Sequence, residues 1–247
     1  MIQANNIYLG DCLDIMKDIP DGSIDLILTD PPFGTTECKW DTVVDEIKLF
    51  DNYKRILTPT GSIVMTVAFP FGTSMIYNNM DLFKYDCVWL KSNVTGFANA
   101  KNKPMRKHEN ILVFSKGTTA NGSKRKMTYN PQGLIKVDKQ ITYSRRQEAN
   151  LGIGSNYNGN KYTQEYTNYP NTIITASKEY KSVHPTQKPV ALFEYLIKTY
   201  TNDGETVLDP FAGSGTTGVA CKNLNRNYIL IEKEEKYFNI IKDRLER

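Results

Sequence analysis

Short apolar runs alternate with amphipathic segments over much of the chain. Residues 7–9 and 24–29 form apolar runs of strand length, and residues 62–68 form a third that is rich in β-branched side chains. The third run lacks polar alternation, which is typical of a strand buried on both faces of a sheet. Residues 41–57 carry apolar side chains three and four positions apart and predict an amphipathic helix. This alternation of strands and helices predicts a parallel, doubly wound α/β sheet.

The same patterns predict the other elements of the two ends of the chain. Helices are predicted at residues 13–19, 72–80, 190–200 and 234–245, and strands at 85–90, 110–114, 206–208 and 228–231. Hydrophobic periodicity fades between residues 115 and 180, where basic residues and tyrosines are interleaved with Asn and Gly. This middle region therefore predicts an insert between two parts of one core.

Charge adds a candidate partner to this picture. The net charge is only +4, but most of the positive excess lies in the insert and in the preceding basic segment 101–107. Basic side chains suit phosphates, and tyrosine stacks on bases, so the pattern favours nucleic acid over a merely solvated loop. The candidate DNA-binding residues are Lys103, Arg106, Lys107, Lys124, Arg125, Lys126, Arg145 and Arg146.

Composition narrows the remaining classes. The 247 residues, 40% of them hydrophobic, fit one domain or one domain with an insert. Four cysteines without CxxC spacing and only two histidines argue against a zinc site or a disulfide framework. The N-terminus lacks the pattern of a signal peptide, and the longest apolar stretch, residues 63–71, is too short to span a bilayer. We therefore expect a cytoplasmic protein without a metal or a membrane segment.

The first motif with chemical meaning is Asp30-Pro31-Pro32-Phe33, directly after the predicted strand 24–29. The two prolines lack N–H groups and push the chain away from an immediate helix, which leaves backbone carbonyls free to accept hydrogen bonds. Asp30 adds a carboxylate and Phe33 adds a flat face. A planar ring with an exocyclic amine would match both, although the motif alone also fits a β-turn with a core phenylalanine.

The second motif is a glycine-rich loop between the strand 206–208 and a helix. Gly213, Gly215 and Gly218 fit the GxGxxG pattern, and Glu232 follows about 20 residues later at the end of another strand. This arrangement predicts an adenosine-containing cofactor whose ribose binds the carboxylate. Too little chain follows the loop for the second nucleotide-binding half that NAD requires. The missing strands must come from the N-terminus, so the sheet is expected to be circularly permuted.

In this order, Gly10-Asp11, the motif at residues 30–33, His184-Pro185-Thr186-Gln187-Lys188-Pro189 and Asp209-Pro210-Phe211-Ala212-Gly213-Ser214-Gly215 resemble the β class of amino-group DNA methyltransferases. The resemblance covers residues 1–114 and 181–247. It implies a circularly permuted Rossmann-like methyltransferase sheet with an inserted target-recognition region. The implied divisions are a catalytic half at 1–114, a DNA-binding insert at 115–180 and a cofactor-binding half at 181–247.

The resemblance also implies S-adenosylmethionine as cofactor and gives roles to single residues. The loop after residue 208 would line the methionine and ribose part, and Glu232 would bind the ribose hydroxyls. Asp11 would accept from the adenine amine beside Cys12, while Thr186 and Lys188 would hold the methionine carboxylate. The full implied cofactor set is Asp11, Cys12, Thr186, Lys188, Asp209, Phe211, Ala212, Gly213, Ser214, Gly215, Thr216 and Glu232.

The implied catalytic set is Asp30, Pro31, Pro32 and Phe33, where Phe33 replaces the tyrosine that is commoner in the family. A base flipped out of double-stranded DNA would stack on Phe33 and donate its amine to Asp30 and to the carbonyl of Pro31. Asp at the first motif position favours adenine N6 over cytosine N4. An RNA or protein-glutamine methyltransferase, a NAD-dependent oxidoreductase and a non-catalytic DNA-binding module are alternatives. The resemblance leaves open the recognition sequence, bacterial or phage origin, a homodimer and a restriction endonuclease partner.

Overall fold

The computed structural model of the protein describes residues 2–32, 44–142, 161–177 and 187–246. The ten strands of the described residues are β1 (Asn6–Leu9), β2 (Ile24–Thr29), β3 (Leu57–Val67), β4 (Phe83–Thr95), β5 (Arg106–Ser115), β6 (Ile135–Thr142), β7 (Lys161–Thr167), β8 (Ile173–Thr175), β9 (Thr206–Asp209) and β10 (Asn227–Glu232). Their six helices are α1 (Cys12–Ile15), α2 (Glu46–Ile56), α3 (Phe71–Asn78), α4 (Val190–Tyr200), α5 (Thr216–Asn223) and α6 (Glu235–Leu245). Two 3₁₀ turns, Met16–Asp18 and Phe97–Asn99, complete these elements.

Eight strands form one sheet in the order β1-β10-β9-β2-β3-β5-β4-β8. The two strands nearest the C-terminus, β9 and β10, lie between β1 and β2, and all neighbours from β1 to β3 are parallel. This placement confirms the predicted circular permutation. The strand before the glycine-rich loop is thus a central strand, next to the strand that leads to Asp30.

Both faces of this sheet are covered, as the unbroken apolar runs predict. Along β2, Ile27 packs with α1, α2 and α3 on one face, whereas Leu26 and Leu28 pack with α4 and α5 on the other. Successive side chains of a strand point to opposite faces, so a strand between two helical layers must be apolar throughout. The third apolar cluster joins Leu230 of β10 to Ile241 and Leu245 of α6.

Several elements differ from the predicted bounds, among them α2, β3, β4 and β5. Helix α2 begins at Glu46, after Asp45 caps it by accepting a 3.1 Å hydrogen bond from the amide of Lys48. Strand β3 begins at Leu57 and passes through the predicted turn, with an irregular register against β2. Strands β4 and β5 extend beyond their predicted bounds as a hairpin, because exposed polar residues there give no apolar signal.

Residues 131–171 form a second compact unit. In this unit β6 and β7 pair antiparallel, and the side-chain amide of Asn168 donates a 2.7 Å hydrogen bond to the carbonyl of Gly133. Periodicity did not predict these strands. The unit lies within the expected insert at 115–180, and that division stays a prediction. No helix in the described part of the chain is both long and apolar enough to span a membrane.

Candidate active site

Four acidic residues lie at one edge of the sheet. Asp209 and Glu232 end β9 and β10, Asp30 directly follows β2, and Asp11 lies two residues after β1. The four strands are neighbours and run parallel, so their carboxyl ends share this edge. Ligands of such sheets bind beyond these ends, where the order of the strands changes direction.

The carboxylate of Asp30 is held at both of its oxygens. The hydroxyl of Thr66 donates to Oδ1 at 2.5 Å, and Nζ of Lys188 donates to Oδ2 at 2.5 Å. Asp30 remains 23% exposed at its side chain, against 10% for Lys188. Each carboxylate oxygen has a second lone pair, so Asp30 can still accept a hydrogen bond from a ligand.

Lys188 belongs to a longer chain of charges. Its Nζ lies 3.4 Å from Oε2 of Glu109 on β5, and Oε1 of Glu109 lies 3.2 Å from Nζ of Lys91 on β4. Burial works to lower the pKa of Lys188, but Asp30 and Glu109 outweigh it and raise that pKa above its usual value. Burial likewise works to raise the pKa of Glu109, and Lys188 and Lys91 outweigh it and lower that pKa. Lys188 and Glu109 are therefore both ionised at neutral pH.

Asp209 is buried and is bound to its own loop. Its carboxylate accepts from the hydroxyl of Thr217 and, at 3.1 Å, from the amide of Phe211. Burial is the main cause that raises its pKa to about 7, and the charges of Asp30 and Glu232 raise it further. Asp209 thus fixes the shape of the glycine-rich loop.

Glu232 holds the same loop from the neighbouring strand. Its Oε2 accepts from the amide of Gly213 at 2.7 Å, and its Oε1 accepts from the amide of Glu234 at 2.8 Å. The remaining lone pairs of these two oxygens suit a pair of ligand hydroxyls. Burial is also the first cause that raises the pKa of Glu232.

Two glycines of the loop serve different purposes. Both have left-handed backbone angles, with φ of 54° at Gly213 and 78° at Gly215. A methyl group at Gly215 would come within 2.8 Å of Ile241, so Gly215 permits helix packing. A methyl group at Gly213 would meet only the carbonyl of Phe211, at 3.9 Å. The open space beside Gly213 fits a ligand that approaches the backbone closely.

The rest of the loop is tied to α6, to β10 and to the segment just before α4. Arg244 donates to the carbonyl of Ser214 at 2.7 Å and to its hydroxyl at 3.1 Å. The hydroxyl of Thr216 donates at 3.4 Å to the carbonyl of Lys188. Ala212 is buried and its amide donates to the carbonyl of Ile231 at 3.0 Å. The loop and Lys188 are therefore joined directly.

Asp11 and Cys12 have distinct surroundings. Asp11 caps α1 by accepting from the amide of Leu13 at 2.9 Å, and its second oxygen accepts from Nζ of Lys233 at 3.2 Å. Cys12 is 5% exposed, and burial followed by the charge of Asp11 raises the pKa of its thiol to about 12. Its thiol is thus un-ionised at neutral pH.

The structure gives Lys188 contacts that the resemblance did not imply. The resemblance implies that it holds the methionine carboxylate, whereas here its ammonium group contacts Asp30 and Glu109. Pro31 is buried and Pro32 is half-buried beside Asp30. Phe33 and Thr186 lie outside the described residues.

The candidate DNA-binding residues fall into separate groups. Beyond Val88 and Asn110, level with the end of β3, strands β4 and β5 continue as a hairpin to Thr95 and Arg106. This projection is about 20 Å long at ~3.3 Å per residue. It leaves the same sheet edge as Asp30, because β4 is parallel to β3. The candidate DNA-binding residues on it, all exposed, are Lys103, Arg106 and Lys107.

Lys124, Arg125 and Lys126 lie elsewhere. They are exposed in the segment after β5, whose last residue Ser115 pairs with Ser62 near the beginning of β3. They therefore lie at the edge opposite to Asp30, and the structure does not bring the two basic groups together. Arg145 and Arg146 lie outside the described residues.

Several polar residues of the site were missed by the sequence reasoning. They are Thr66, Lys91, Glu109, Thr217, Lys233 and Arg244. Thr66 lies within an apolar strand. A polar residue at such a position was the only feature of the sequence that could have indicated its role in the site. Among the described residues there is no cluster of three or more His, Cys, Asp or Glu that could hold a metal ion.

Comparison with known proteins identifies the family of this chain. The family model for N6/N4 methyltransferases, described as DNA methylase, matches residues 24–243. The chain belongs to this DNA methylase family. The protein is accordingly a DNA amino-methyltransferase, and the resemblance drawn from its motifs is confirmed. This membership decides against a NAD-dependent oxidoreductase.

Two relatives share nearly the whole chain. The type II methyltransferase M.HinfI of Haemophilus influenzae is 31% identical, over 98% of this chain and 68% of its own length. The type II methyltransferase M.HpaI of Haemophilus parainfluenzae is 30% identical, over 97% of this chain and 74% of its own length. The similarity to these relatives therefore extends over nearly the whole chain and is not limited to the motifs.

Solved structures agree with the fold. The M1.HpyAVI–SAM complex matches with a TM-score of 0.65 and 29% identity, and the match covers 97% of this chain and 99% of that one. The PvuII DNA methyltransferase (cytosine-N4-specific) has a TM-score of 0.68 at 17% identity, covering 99% and 87% of the two chains. The predicted fold class, a Rossmann-like methyltransferase sheet, is confirmed.

Proposed function

We propose that the protein transfers a methyl group from S-adenosylmethionine to the N6 amine of an adenine that is flipped out of double-stranded DNA. The observation that carries this proposal is the position of Asp30. Its carboxylate follows β2, which pairs with the strand β9 that leads into the glycine-rich loop. A carboxylate acceptor and the open backbone at Gly213 therefore belong to adjacent strand ends.

Asp30 and Pro31 suit an exocyclic amine. The amine would donate to the carboxylate of Asp30 and to the carbonyl of Pro31, and Phe33 would stack on the ring. These acceptors orient the nitrogen lone pair and stabilise the positive charge that develops on nitrogen. Asp30 need not be a strong base beforehand, because the amine becomes acidic only as the methyl group arrives. Asp at the first motif position supports adenine over cytosine.

The residues around the glycine-rich loop fit the cofactor. Glu232 would bind the ribose hydroxyls, Asp11 would accept from the adenine amine, and the open side of Gly213 would admit the ligand. S-adenosylmethionine supplies the electrophilic methyl group when it is bound. Asp209 maintains the conformation of the glycine-rich loop by accepting hydrogen bonds from Phe211 and Thr217. Thr186 would contact the methionine carboxylate.

The test identifies the methylated nucleoside. Purified protein is incubated with unmethylated DNA of mixed sequence and methyl-labelled S-adenosylmethionine, and the digested DNA is analysed by mass spectrometry. We expect label in N6-methyladenine. Label in N4-methylcytosine would contradict the adenine assignment, and absence of label from DNA would contradict the proposed function as a whole.

We assign the phosphate contacts to the β4–β5 hairpin. Three of its exposed cations, Lys103, Arg106 and Lys107, lie at the edge that carries Asp30, so they can bind the backbone of DNA whose base enters the site. Replacing Lys103, Arg106 and Lys107 with glutamine should weaken DNA binding. The slope of log affinity against log salt should fall by up to about 2.7, at ~0.9 for each phosphate contact.

A matched variant makes this test specific. Replacing Lys124, Arg125 and Lys126 with glutamine removes the same charge from the opposite edge. Fluorescence anisotropy with labelled duplexes at several salt concentrations should show a smaller change for this variant. Equal changes in slope would contradict the assignment of the hairpin.

The type II relatives support a restriction-modification setting in the cytoplasm of a bacterium or of a phage-infected cell. A cognate endonuclease that fails to cut DNA treated with this protein would support this setting. A homodimer belongs to the same proposal, and its mass in solution is the test.

A further inference from the structure

Four charged side chains form a continuous chain from Asp30 to the base of the β4–β5 hairpin. The contacts run from Asp30 to Lys188 at 2.5 Å, from Lys188 to Glu109 at 3.4 Å and from Glu109 to Lys91 at 3.2 Å. All four are at least three-quarters buried, with side-chain exposures between 10% and 23%. Two cations and two anions give this group a net charge of zero.

The pairing of Asp30 with Lys188 creates an electrostatic problem for methyl transfer. The amine of the base gains positive charge in the transition state, which Asp30 must attract. An ammonium group beside Asp30 repels that charge, and the repulsion is strong where water is largely excluded. A second carboxylate next to Lys188 offsets the repulsion, and Glu109 occupies that position.

Among the described residues, the ion pairs of Glu109 are those with Lys91 and Lys188. It is a polar residue on a strand that otherwise buries apolar side chains at Ile111, Leu112, Val113 and Phe114. Placing a carboxylate there is costly unless cations compensate it, and Lys91 and Lys188 do so. Lys91 in turn keeps the whole group neutral.

We propose that Glu109 is a positioning residue that cancels the charge of Lys188 and thereby lets Asp30 act as a full anion on the base amine. The inference rests on the proposed function and deepens it. It assigns to Lys188 the task of orienting Asp30, with Thr66 on the other oxygen. It also ties the acceptor to the hairpin, since Lys91 and Glu109 lie on its two strands.

The test uses a variant that changes the charge of the side chain at position 109 and keeps its shape. Glu109→Gln leaves the group with a net charge of +1, and we expect kcat for DNA methylation to fall about tenfold or more, as expected for an uncompensated charge in a region of low effective dielectric. The double variant Lys91→Met, Glu109→Gln restores a net charge of zero. We expect it to recover at least about a third of the lost activity on a logarithmic scale.

The double variant separates this mechanism from a merely structural role. If Glu109 served only as a structural contact, kcat of the double variant should be equal to or lower than that of the single variant, because the double variant loses more contacts. Recovery of kcat therefore supports charge balance. A double variant no more active than Glu109→Gln would overturn the proposal, and so would a single variant within twofold of the wild type.

Glu109→Asp provides a second measurement that keeps the charge. We expect it to retain a higher kcat than Glu109→Gln, although its side chain is shorter. The reverse order would overturn the proposal. This pair also keeps the inference testable if the glutamine variant folds poorly.

Matched controls keep failure of the inference apart from failure of the proposed function. KM for S-adenosylmethionine should change little in the Glu109 variants, and kcat is compared at a temperature well below the melting temperature of every variant. Asp81→Asn breaks a remote surface pair with Lys54, 3.7 Å apart, and controls for the loss of an ion pair. A wild-type protein that does not methylate DNA contradicts the proposed function. An active wild type with charge-insensitive Glu109 variants contradicts only the inference.

Discussion

Two acidic sites at neighbouring strand ends are stabilised in different ways. At the end of β2, Asp30 contacts the buried cation of Lys188 and stays 23% exposed. At the ends of β9 and β10, Asp209 and Glu232 accept from backbone amides and from the hydroxyl of Thr217. Neither of these two carboxylates has an ion pair among the residues that the structure describes.

This difference indicates that the two acidic sites have different roles. Thr66 and Lys188 fix the orientation of the Asp30 carboxylate, which can then accept a hydrogen bond from a group that develops positive charge. Amides and a hydroxyl around Asp209 satisfy a carboxylate that is buried, and its pKa of about 7 reflects that burial. The first site is suited to act on a substrate, whereas the second is suited to shape a binding loop.

The largest expected effect comes from Asp30. Asp30→Ala removes the acceptor for the amine, so kcat for methyl transfer should fall by about a thousandfold or more. Binding of S-adenosylmethionine, measured by calorimetry, should persist because the glycine-rich loop is unchanged. Asp51→Ala, at an exposed position of α2, is the control.

Asp30→Ala also leaves Lys188 without one of its partners. The variant Asp30→Asn is therefore added, because its side-chain oxygen can still accept from Lys188. Asparagine keeps an acceptor oxygen but loses the charge, so its activity should lie at or above that of the alanine variant. Activity of either variant within tenfold of the wild type would remove Asp30 from the mechanism.

The next effect concerns Asp209 and the pH dependence of stability. A folded-state pKa of about 7, against an ordinary value of 3.8, means that the folded protein binds a proton more tightly than the unfolded chain. The stabilisation is therefore full below pH 4 and is lost as pH rises through 7. Between pH 5 and pH 7.5 this loss amounts to about 2.5 kcal/mol.

Asp209→Asn mimics the protonated carboxyl group and should remove this dependence. Urea unfolding at the two pH values should show the free energy of unfolding of the wild type falling by about 2.5 kcal/mol relative to the variant. Asp18→Asn, at an exposed position, should follow the wild type. Parallel behaviour of wild type and Asp209→Asn would show that Asp209 is ionised throughout.

The sequence predicted the parts of this comparison that depend on periodicity and local motifs. Apolar runs located the central strands, and helix α4 was predicted with its observed bounds at Val190–Tyr200. A permuted sheet was expected from the glycine-rich loop together with the N-terminal strands, and the strand order confirms it. These features follow from local spacing and from a count of the available strands.

Other features depend on contacts between distant residues. Lys188 meets Asp30 across 158 positions, and no periodicity in either segment indicates that contact. The β4–β5 hairpin projects from the sheet with polar residues on exposed strands, which resemble a loop in sequence. The two basic groups looked alike in composition, and only the antiparallel direction of β5 places them at opposite edges.

The smallest effect should come from Glu232, where the change is one atom in a buried carboxylate. Glu232→Gln replaces one carboxylate oxygen by an NH2 group, so the side chain can no longer accept from both Gly213 and Glu234, and it removes the charge that ribose hydroxyls would bind. One such hydrogen bond is worth about 1–1.5 kcal/mol, so affinity for S-adenosylmethionine should fall about tenfold. Calorimetry measures this change directly.

Glu234→Gln is the matched control for this last effect, because the Glu234 side chain is exposed and contributes only its backbone amide to Glu232. Its affinity for the cofactor should equal that of the wild type. The kcat of Glu232→Gln at saturating cofactor should stay near that of the wild type, because Asp30 and its partners are unchanged. A fall in kcat without a change in affinity would place Glu232 with Asp30 in catalysis and would end the division between the two acidic sites.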